Sequence, residues 1–242
     1  MKLINQQTDL LEISPAIDNL ISNGTIVGSS GRTHQVQGTS TINNLVVISN
    51  LMNEMKTTHT LEIGMAYGAS TLAFCAMHSK LKLKESEHIA IDPFQLVDYD
   101  ECGVLSVKNA NLDQFLKIYY EPSCCILPQL MQQGKKYDLI YIDGSHLFED
   151  SFLDAYFAVR LLRSGGVMLL DDSSDPHVAK VISFLRRNLR TGIEEIDLTP
   201  YRLTNQRSLK YYLARQLGRL QLTGFRLIGK IDRPYGTSLV NF

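Results

Sequence analysis

Thr60-Leu61-Glu62-Ile63-Gly64-Met65-Ala66-Tyr67-Gly68-Ala69-Ser70-Thr71 is the stretch on which the fold turns. It opens apolar and β-prone at Leu61 and Ile63, passes through Gly64 and Gly68, and runs into a helical pattern over residues 69–78. Strand, tight loop and helix N-terminus in succession form an arrangement that receives an anionic or nucleoside-bearing ligand. Glycine at positions 64 and 68 suits a backbone that bends sharply and lies against a ligand with no Cβ in the way. Ser70 brings a hydroxyl to the first helical turn, and Glu62 brings a carboxylate to the strand end, expected to face the same crevice. The pattern also fits a strand–turn–helix whose glycines serve packing alone. It is not the dinucleotide fingerprint, which requires glycine at Ala66 and a third glycine one residue beyond Gly68. Nor is it a P-loop, since no Gly-Lys-Ser/Thr follows.

Downstream, strand-like runs end repeatedly in polar residues at turns. His88-Ile89-Ala90-Ile91-Asp92-Pro93-Phe94 ends in an acid suited to bind vicinal ribose hydroxyls, with a turn cap before proline as the plainer alternative. Residues 98–116 are polar and mostly helical in pattern, and residues 117–120 read as a short strand. Glu121-Pro122-Ser123 opens a helix over residues 124–132, with Ser123 as N-cap. Tyr137-Asp138-Leu139-Ile140-Tyr141-Ile142-Asp143 is a buried strand, followed by the turn Gly144-Ser145-His146 and a helix over residues 149–162, stopped by Ser164-Gly165-Gly166. Val167-Met168-Leu169-Leu170-Asp171-Asp172 is another strand ending in acid, and Asp175-Pro176 starts the next helix. Alternating strands and helices predict a parallel sheet in three layers with right-handed crossovers, and ligands outside the carboxyl ends of the strands. Glu62, Asp92, Ser123, Asp143 and Asp171 are therefore expected to converge on one crevice.

Upstream, Ser14-Pro15 starts a short helix over residues 16–22. Residues 28–40 are polar and glycine-punctuated, read as a plain loop or as a lid that carries Arg32 or His34 to a ligand. Residues 41–55 form a helix with a core stripe at Leu45, Ile48, Met52 and Met55. The tail is read as strands over 194–198, 225–231 and 237–240, with a basic amphipathic helix over 208–222 bearing Lys210, Arg215 and Arg219.

The chain of 242 residues is 44% hydrophobic and 20% charged, enough for one α/β domain with a sizeable core. A net charge of −1 gives no global attraction to nucleic acid or acidic membrane. No apolar run reaches the roughly 18 residues of a membrane span, and the N-terminus has no signal-peptide core. The cysteines (Cys75, Cys102, Cys124 and Cys125) form no C-x-x-C pair and no zinc spacing, so a reduced, cytoplasmic setting is expected, with Cys75 in the core.

The residues quoted over 61–70, 91–94, 137–146 and 162–172, in this order, resemble the class I S-adenosylmethionine methyltransferases. They are most similar to the branch of small-molecule O-methyltransferases that includes catechol and antibiotic-pathway enzymes. The resemblance spans about residues 37–188. It implies a Rossmann-like three-layer sandwich with a mostly parallel seven-stranded sheet, helices on both faces and an antiparallel final strand, placing 194–198 and 225–231 at the sheet edge. Residues 1–58 would supply N-terminal helices and a lid segment, packed as one globular unit with a cofactor-binding domain over 59–242.

The resemblance also implies roles. Gly64, Ala66, Tyr67, Gly68 and Ser70, with Glu62, would cradle the methionine part of S-adenosylmethionine. Asp92 would take the ribose, Pro93 or Phe94 would lie on the adenine, and Ser123 would sit near its edge. Residues 37–40 would reach over the cofactor's carboxylate. In metal-dependent members the positions of Asp143, Asp171 and Asp172 hold Mg²⁺, and all-oxygen donors suit that ion. His146 is then the candidate general base, with Asp143 beside it. Each also has a plainer reading: Asp171 and Asp172 as loop caps, Asp143 as partner of the cofactor's amino group, His146 as a turn residue. The expected activity is metal-assisted methyl transfer to a hydroxyl of a small molecule. The rivals are a metal-independent methyltransferase of this fold and a non-catalytic subunit serving a partner protein. A homodimer is common in the branch.

Overall fold

The computed structural model describes residues 3–5, 7–204, 221–232 and 240. Helices α1 (Gln7–Ile13) and α2 (Pro15–Ser22) precede a hairpin of β1 (Thr25–Val27) and β2 (Thr33–Gln35), then α3 (Ile42–Met55). There follow β3 (His59–Ile63), α4 (Ala69–Leu81), β4 (Glu87–Ile91), α5 (Cys102–Asn109), β5 (Leu116–Tyr119), α6 (Ser123–Gln132) and β6 (Tyr137–Ile142). The remainder is α7 (Phe148–Leu161), β7 (Leu162–Leu170), α8 (Pro176–Asn188), β8 (Ile193–Ile196) and β9 (Thr223–Leu227). Among the described residues no helix is long and apolar enough to cross a membrane.

The seven-stranded sheet has the order β5-β4-β3-β6-β7-β9-β8. The strands from β5 to β7 are parallel, and β9 runs antiparallel to both β7 and β8. Helices cover both faces, so the central strands are apolar on both sides, as parallel sheets require. Successive side chains alternate between the two faces. Ile140, Ile142, Met168 and Leu170 join the core under α6, α7 and α8. Leu139, Tyr141, Val167 and Leu169 join the core under α3 and α4. The N-terminal helices complete this second face: Leu10, Ile17 and Leu20 pack with Leu45, Leu72 and Ala73.

Register brings the site together. Ile63 pairs with Ile91 on one side and Ile142 on the other, and Ile142 pairs with Leu170. The ladder continues one residue further: Gly64 N–H donates to the Ile91 carbonyl, Asp143 N–H to Ile63, Asp171 N–H to Ile142, and Asp92 N–H to Tyr119. Gly64, Asp92, Asp143 and Asp171 thus leave neighbouring strands at one level, about 4.8 Å apart strand to strand.

Several expectations need correction. Residues 28–40 are not an aperiodic loop throughout, because β1 and β2 pair with Ile26 opposite His34. Their turn is held from a distance: Asp100 accepts from Ser30 N–H, the Ser29 and Ser30 hydroxyls and His34 Nε2. The hydroxyl of Ser30 and the other donors hold the Asp100 carboxyl below the ordinary carboxylate range. His34 is committed to this latch rather than to a ligand, and Arg32 is exposed. Helix α1 has too short an apolar pattern to be read from sequence. Over 98–116 the helical part shrinks to α5 and a 3-10 turn at Asp113–Phe115. Residues 164–166, expected to separate the helix from a strand starting at Val167, belong to β7, which begins at Leu162 directly after α7. Strand β8 forms the edge, and β9 lies one place inside it. The basic segment 208–220 and residues 237–239 lie outside the described residues.

Two helix starts follow their caps. Thr41 accepts from Asn44 N–H, and Asp175 accepts from His177 and Val178 N–H ahead of Pro176, each cap worth about 1 kcal/mol.

Candidate functional site

A cleft of about 240 Å³ opens at the carboxyl ends of β3 and β6. Its walls are the loop Gly64–Gly68 with the start of α4, residues 38–40, Tyr99, and Asp143, Gly144, His146 and Asp172. Gly64, Ala66, Tyr67, Gly68, Ser70, Asp143, His146 and Asp172 thus stand where the sequence places a ligand.

The loop's shape is set by protein contacts. Gly64 has φ +87°, and a Cβ there would run into the backbone carbonyl of Asp143. Gly68 has φ +86°, and a Cβ there would press on Gly103 of α5 at 2.7 Å. Both glycines therefore serve close backbone packing as well as a left-handed turn, so the packing reading of this motif is right for these atoms. Gly68 is also the N-cap of α4 and makes no side-chain cap bond. The first N–H groups of that helix consequently face the cleft end without intrahelical partners, a setting that favours an anion.

Six residues assigned to the site do not line it. Glu62 is fully buried, not aimed at the crevice; it accepts a short hydrogen bond from Thr71 Oγ1. His88 Nε2 lies 3.2 Å from Glu62 Oε1 but is not aligned for a hydrogen bond. Asp92 is 3% exposed. Its Oδ2 accepts from Met65 N–H (3.0 Å), Ala66 N–H (2.8 Å) and Gln95 Nε2 (3.0 Å), and its Oδ1 from Phe94 N–H (2.9 Å). It therefore shapes the loop, with Ala66 at φ +46°, instead of offering a free carboxylate to a diol. Phe94 is 54% exposed on the β4–α5 connection, and Pro93 is half-buried beside it. Ser123 is not the N-cap of α6, a place taken by Pro122; its hydroxyl donates to Asp154 Oδ1 at 2.6 Å. Burial raises the Asp154 carboxyl to about 6.

Asp171 is the sixth. Both its oxygens accept from Asn44 Nδ2, at 2.9 and 2.8 Å, and Oδ2 also accepts from Tyr141 OH at 2.6 Å. A carboxylate held on both oxygens is not a free ligand. Among the described residues, the cluster whose ligand atoms come together is Asp143, His146 and Asp172, all within 4.8 Å of one another. His146 Nε2 and Asp172 Oδ2 stand 2.9 Å apart. Asp172 has φ +45° and receives a further short hydrogen bond from Gln221 Nε2. Among the described residues it is thus His146, not Asp171, whose ligand atom lies with those of Asp143 and Asp172.

Asp143 is held by Ser40 Oγ (2.9 Å) and Tyr141 OH (3.1 Å), both on Oδ2. Burial, and then the nearby charge of Asp171, pushes its carboxyl well above the ordinary range, and burial likewise raises Asp171. Tyr141, Asn44, Gln95 and Tyr99 were not singled out from sequence. Only Tyr141 left a signal: it precedes Asp143 by two residues on one strand and so shares its face.

The charged amino-acid end of S-adenosylmethionine suits these residues in kind. The uncapped α4 N-terminus suits a carboxylate, and Asp143, with Oδ1 unbonded among the described residues, suits an ammonium.

Comparison with known proteins agrees with the fold. A family model described as a methyltransferase domain matches residues 61–173. A relative named "Probable caffeoyl-CoA O-methyltransferase 3", from Dictyostelium discoideum, is 28% identical over 127 residues, 50% of this chain and 46% of that protein. The chain thus matches about half the length of that curated relative. An O-methyltransferase from Bacillus cereus, solved with SAH, superposes with TM-score 0.58 at 17% identity, over 80% of this chain and 84% of the other. TomG from Streptomyces achromogenes, an O-methyltransferase involved in tomaymycin synthesis and solved with SAM, superposes with TM-score 0.59 at 14% identity, over 94% and 92%. Motifs, sheet order and the match of residues 61–173 to a methyltransferase-domain model thus agree in likening this part of the chain to methyltransferase domains.

Proposed function

We propose that this protein is an S-adenosylmethionine-dependent O-methyltransferase acting on a hydroxyl of a small molecule. One observation carries the reading: the His146–Asp172 pair shares a cleft with Asp143 and the uncapped start of α4. When bound, S-adenosylmethionine supplies a methyl group on a sulfonium, an activated leaving group. The chain's own residues then bind, align and deprotonate. Asp143 and the α4 N-terminus hold opposite charges of one zwitterionic group and so orient the ligand along the loop. Nε2 of His146 faces Asp172 Oδ2 at ion-pair distance, which leaves Nδ1 to take the acceptor hydroxyl's proton. At 48% side-chain exposure His146 is open to an incoming acceptor.

A second reading is favoured by the Asp143, His146 and Asp172 cluster, which could hold a divalent cation. One imidazole with two carboxylates suits Mn²⁺, Fe²⁺ or Zn²⁺ better than the all-oxygen preference of Mg²⁺. A cation there would act as Lewis acid on the acceptor oxygen. A cation bound through His146 Nε2 would replace the contact of that atom with Asp172, so the two readings separate by experiment.

The test is calorimetric titration with S-adenosylhomocysteine, followed by methyl transfer from S-adenosylmethionine to a panel of phenols, catechols and sugar hydroxyls. The base reading expects binding without added metal, and a His146→Asn variant that binds equally but turns over about 100-fold more slowly or worse. Binding or turnover that requires Mn²⁺ supports the cation reading. Absence of S-adenosylhomocysteine binding under both conditions rejects the proposed activity.

A further inference from the structure

Tyr141 is fully buried, with its ring in the core formed by α3, α4, β6 and β7. Phenylalanine would serve that packing equally well, and a buried hydroxyl is costly unless it is bonded. Here it is surrounded by oxygen partners. Tyr141 OH lies 2.6 Å from Asp171 Oδ2, 3.1 Å from Asp143 Oδ2 and 3.0 Å from Ser40 Oγ. One phenol therefore bridges the acids that end two adjacent strands, and it touches a residue from the cleft-lining segment before α3.

The rest of the network closes around it. Ser40 donates to the same oxygen of Asp143, at 2.9 Å. Asn44, one turn into α3, holds both oxygens of Asp171. Ser40 donates to Asp143 Oδ2, and the single proton of Tyr141 is shared between Asp171 and that same oxygen, so both contacts meet on Oδ2 and no hydrogen bond among the described residues reaches Oδ1. Ser40 and Asn44 belong to the N-terminal segment, about a hundred residues from the acids they hold.

We infer that Tyr141 is a positioning residue: with Ser40 it orients Asp143 so that Oδ1 presents to the bound cofactor, and it ties that orientation to the N-terminal segment through Ser40. This rests on the proposed cofactor reading, and adds residues that no metal or base assignment includes. The core explains a large ring at position 141 but does not explain its hydroxyl. The loop explains a small residue at position 40 but does not explain two bonds to groups on and beyond β6.

The experiment compares the full-length protein with Tyr141→Phe, Ser40→Ala and Ser40→Thr. Calorimetry gives the affinity for S-adenosylhomocysteine well below each melting temperature, and steady-state assays give KM for S-adenosylmethionine. Tyr141→Phe should weaken S-adenosylhomocysteine by about tenfold, the scale of one lost hydrogen bond to a buried charge. KM for S-adenosylmethionine should rise more than kcat falls. Ser40→Ala should act in the same direction, Ser40→Thr should restore binding to near wild type, and the double variant should lose less than the product of the single losses. If Tyr141→Phe melts cooperatively and binds within twofold of wild type, the inference is overturned, even with a lowered melting temperature. Should Tyr141→Phe not fold, the serine pair decides: unchanged binding in Ser40→Ala overturns the inference. Wild-type protein that does not bind S-adenosylhomocysteine rejects the cofactor reading itself, a result distinct from a silent Tyr141→Phe.

Discussion

His146 Nε2 and Asp172 Oδ2 stand 2.9 Å apart, joining the turn after β6 to the turn after β7 across the mouth of the cleft. The pair exists because Ile142 and Leu170 are in register, which starts both turns at one level. Replacing His146 by Asn should lower kcat by about 100-fold or more, the usual scale for a lost general base. Asp172→Asn should lower it by about tenfold, since an amide orients the ring less strongly than a carboxylate. Neither change should move S-adenosylhomocysteine affinity by more than about twofold in the absence of metal, on the base reading. Equal losses of affinity and turnover in both variants would place the pair in cofactor binding instead.

Asp92 offers a sharper contrast. If it served only a ribose diol, Asp92→Asn would weaken cofactor binding and leave the apo protein as stable as before. The carboxylate instead receives N–H groups from Met65, Ala66 and Phe94. An asparagine amide would turn a donor toward at least one of them. The apo melting temperature of Asp92→Asn should fall by roughly 5 °C, given about 1.5–3 kcal/mol for bonds to a charged acceptor. An unchanged apo melt would return Asp92 to a purely ligand-binding role.

Gly64→Ala combines a left-handed backbone at φ +87° with a Cβ driven into the Asp143 carbonyl. The strained backbone alone costs about 1–3 kcal/mol, and the collision must also be relieved. A drop in melting temperature of roughly 5–10 °C is expected. By contrast, Gly165→Ala, with φ +78° and open space around it, should show only the backbone part. Similar melting temperatures for the two variants would mean that the Asp143 contact yields freely.

Asp154 sets a pH dependence. Burial holds its carboxyl at about 6, above its ordinary 3.8. A group raised in the folded state favours folding while protonated; that contribution is complete below about pH 4 and is lost as pH rises through 6. Asp154→Asn keeps a polar partner for Ser123 and removes the charge. It should match wild type near pH 4 and exceed it by roughly 2–3 kcal/mol at pH 8. Denaturant melts at the two pH values check this, and a constant difference between them would contradict the assignment.

Much of the fold was legible in residues 61–173. Strands such as β6 and β7 are apolar on both faces, and each is followed directly by an acid at a turn. Local chemistry also marked the α8 start, where Asp175 and Pro176 act within four residues of each other's partners. The hairpin of β1 and β2 was not legible, because its turn is fastened by Asp100, which is distant in sequence. Ser123 read as a cap from its neighbours, yet its hydroxyl turned to Asp154 on another helix.

The sequence by itself determined the alternation of strands and helices, the glycine loop, and the set of acids at strand ends, since these follow from local propensity and periodicity. Only the tertiary structure decided which acids are free. Asp171 and Asp172 are adjacent and chemically identical, but one is held by Asn44 and Tyr141 while the other turns, at φ +45°, toward His146. A carboxylate's role is set by the donors that reach it first, and those donors come from α3, β6 and the turn after β6, brought close only by the register of the sheet.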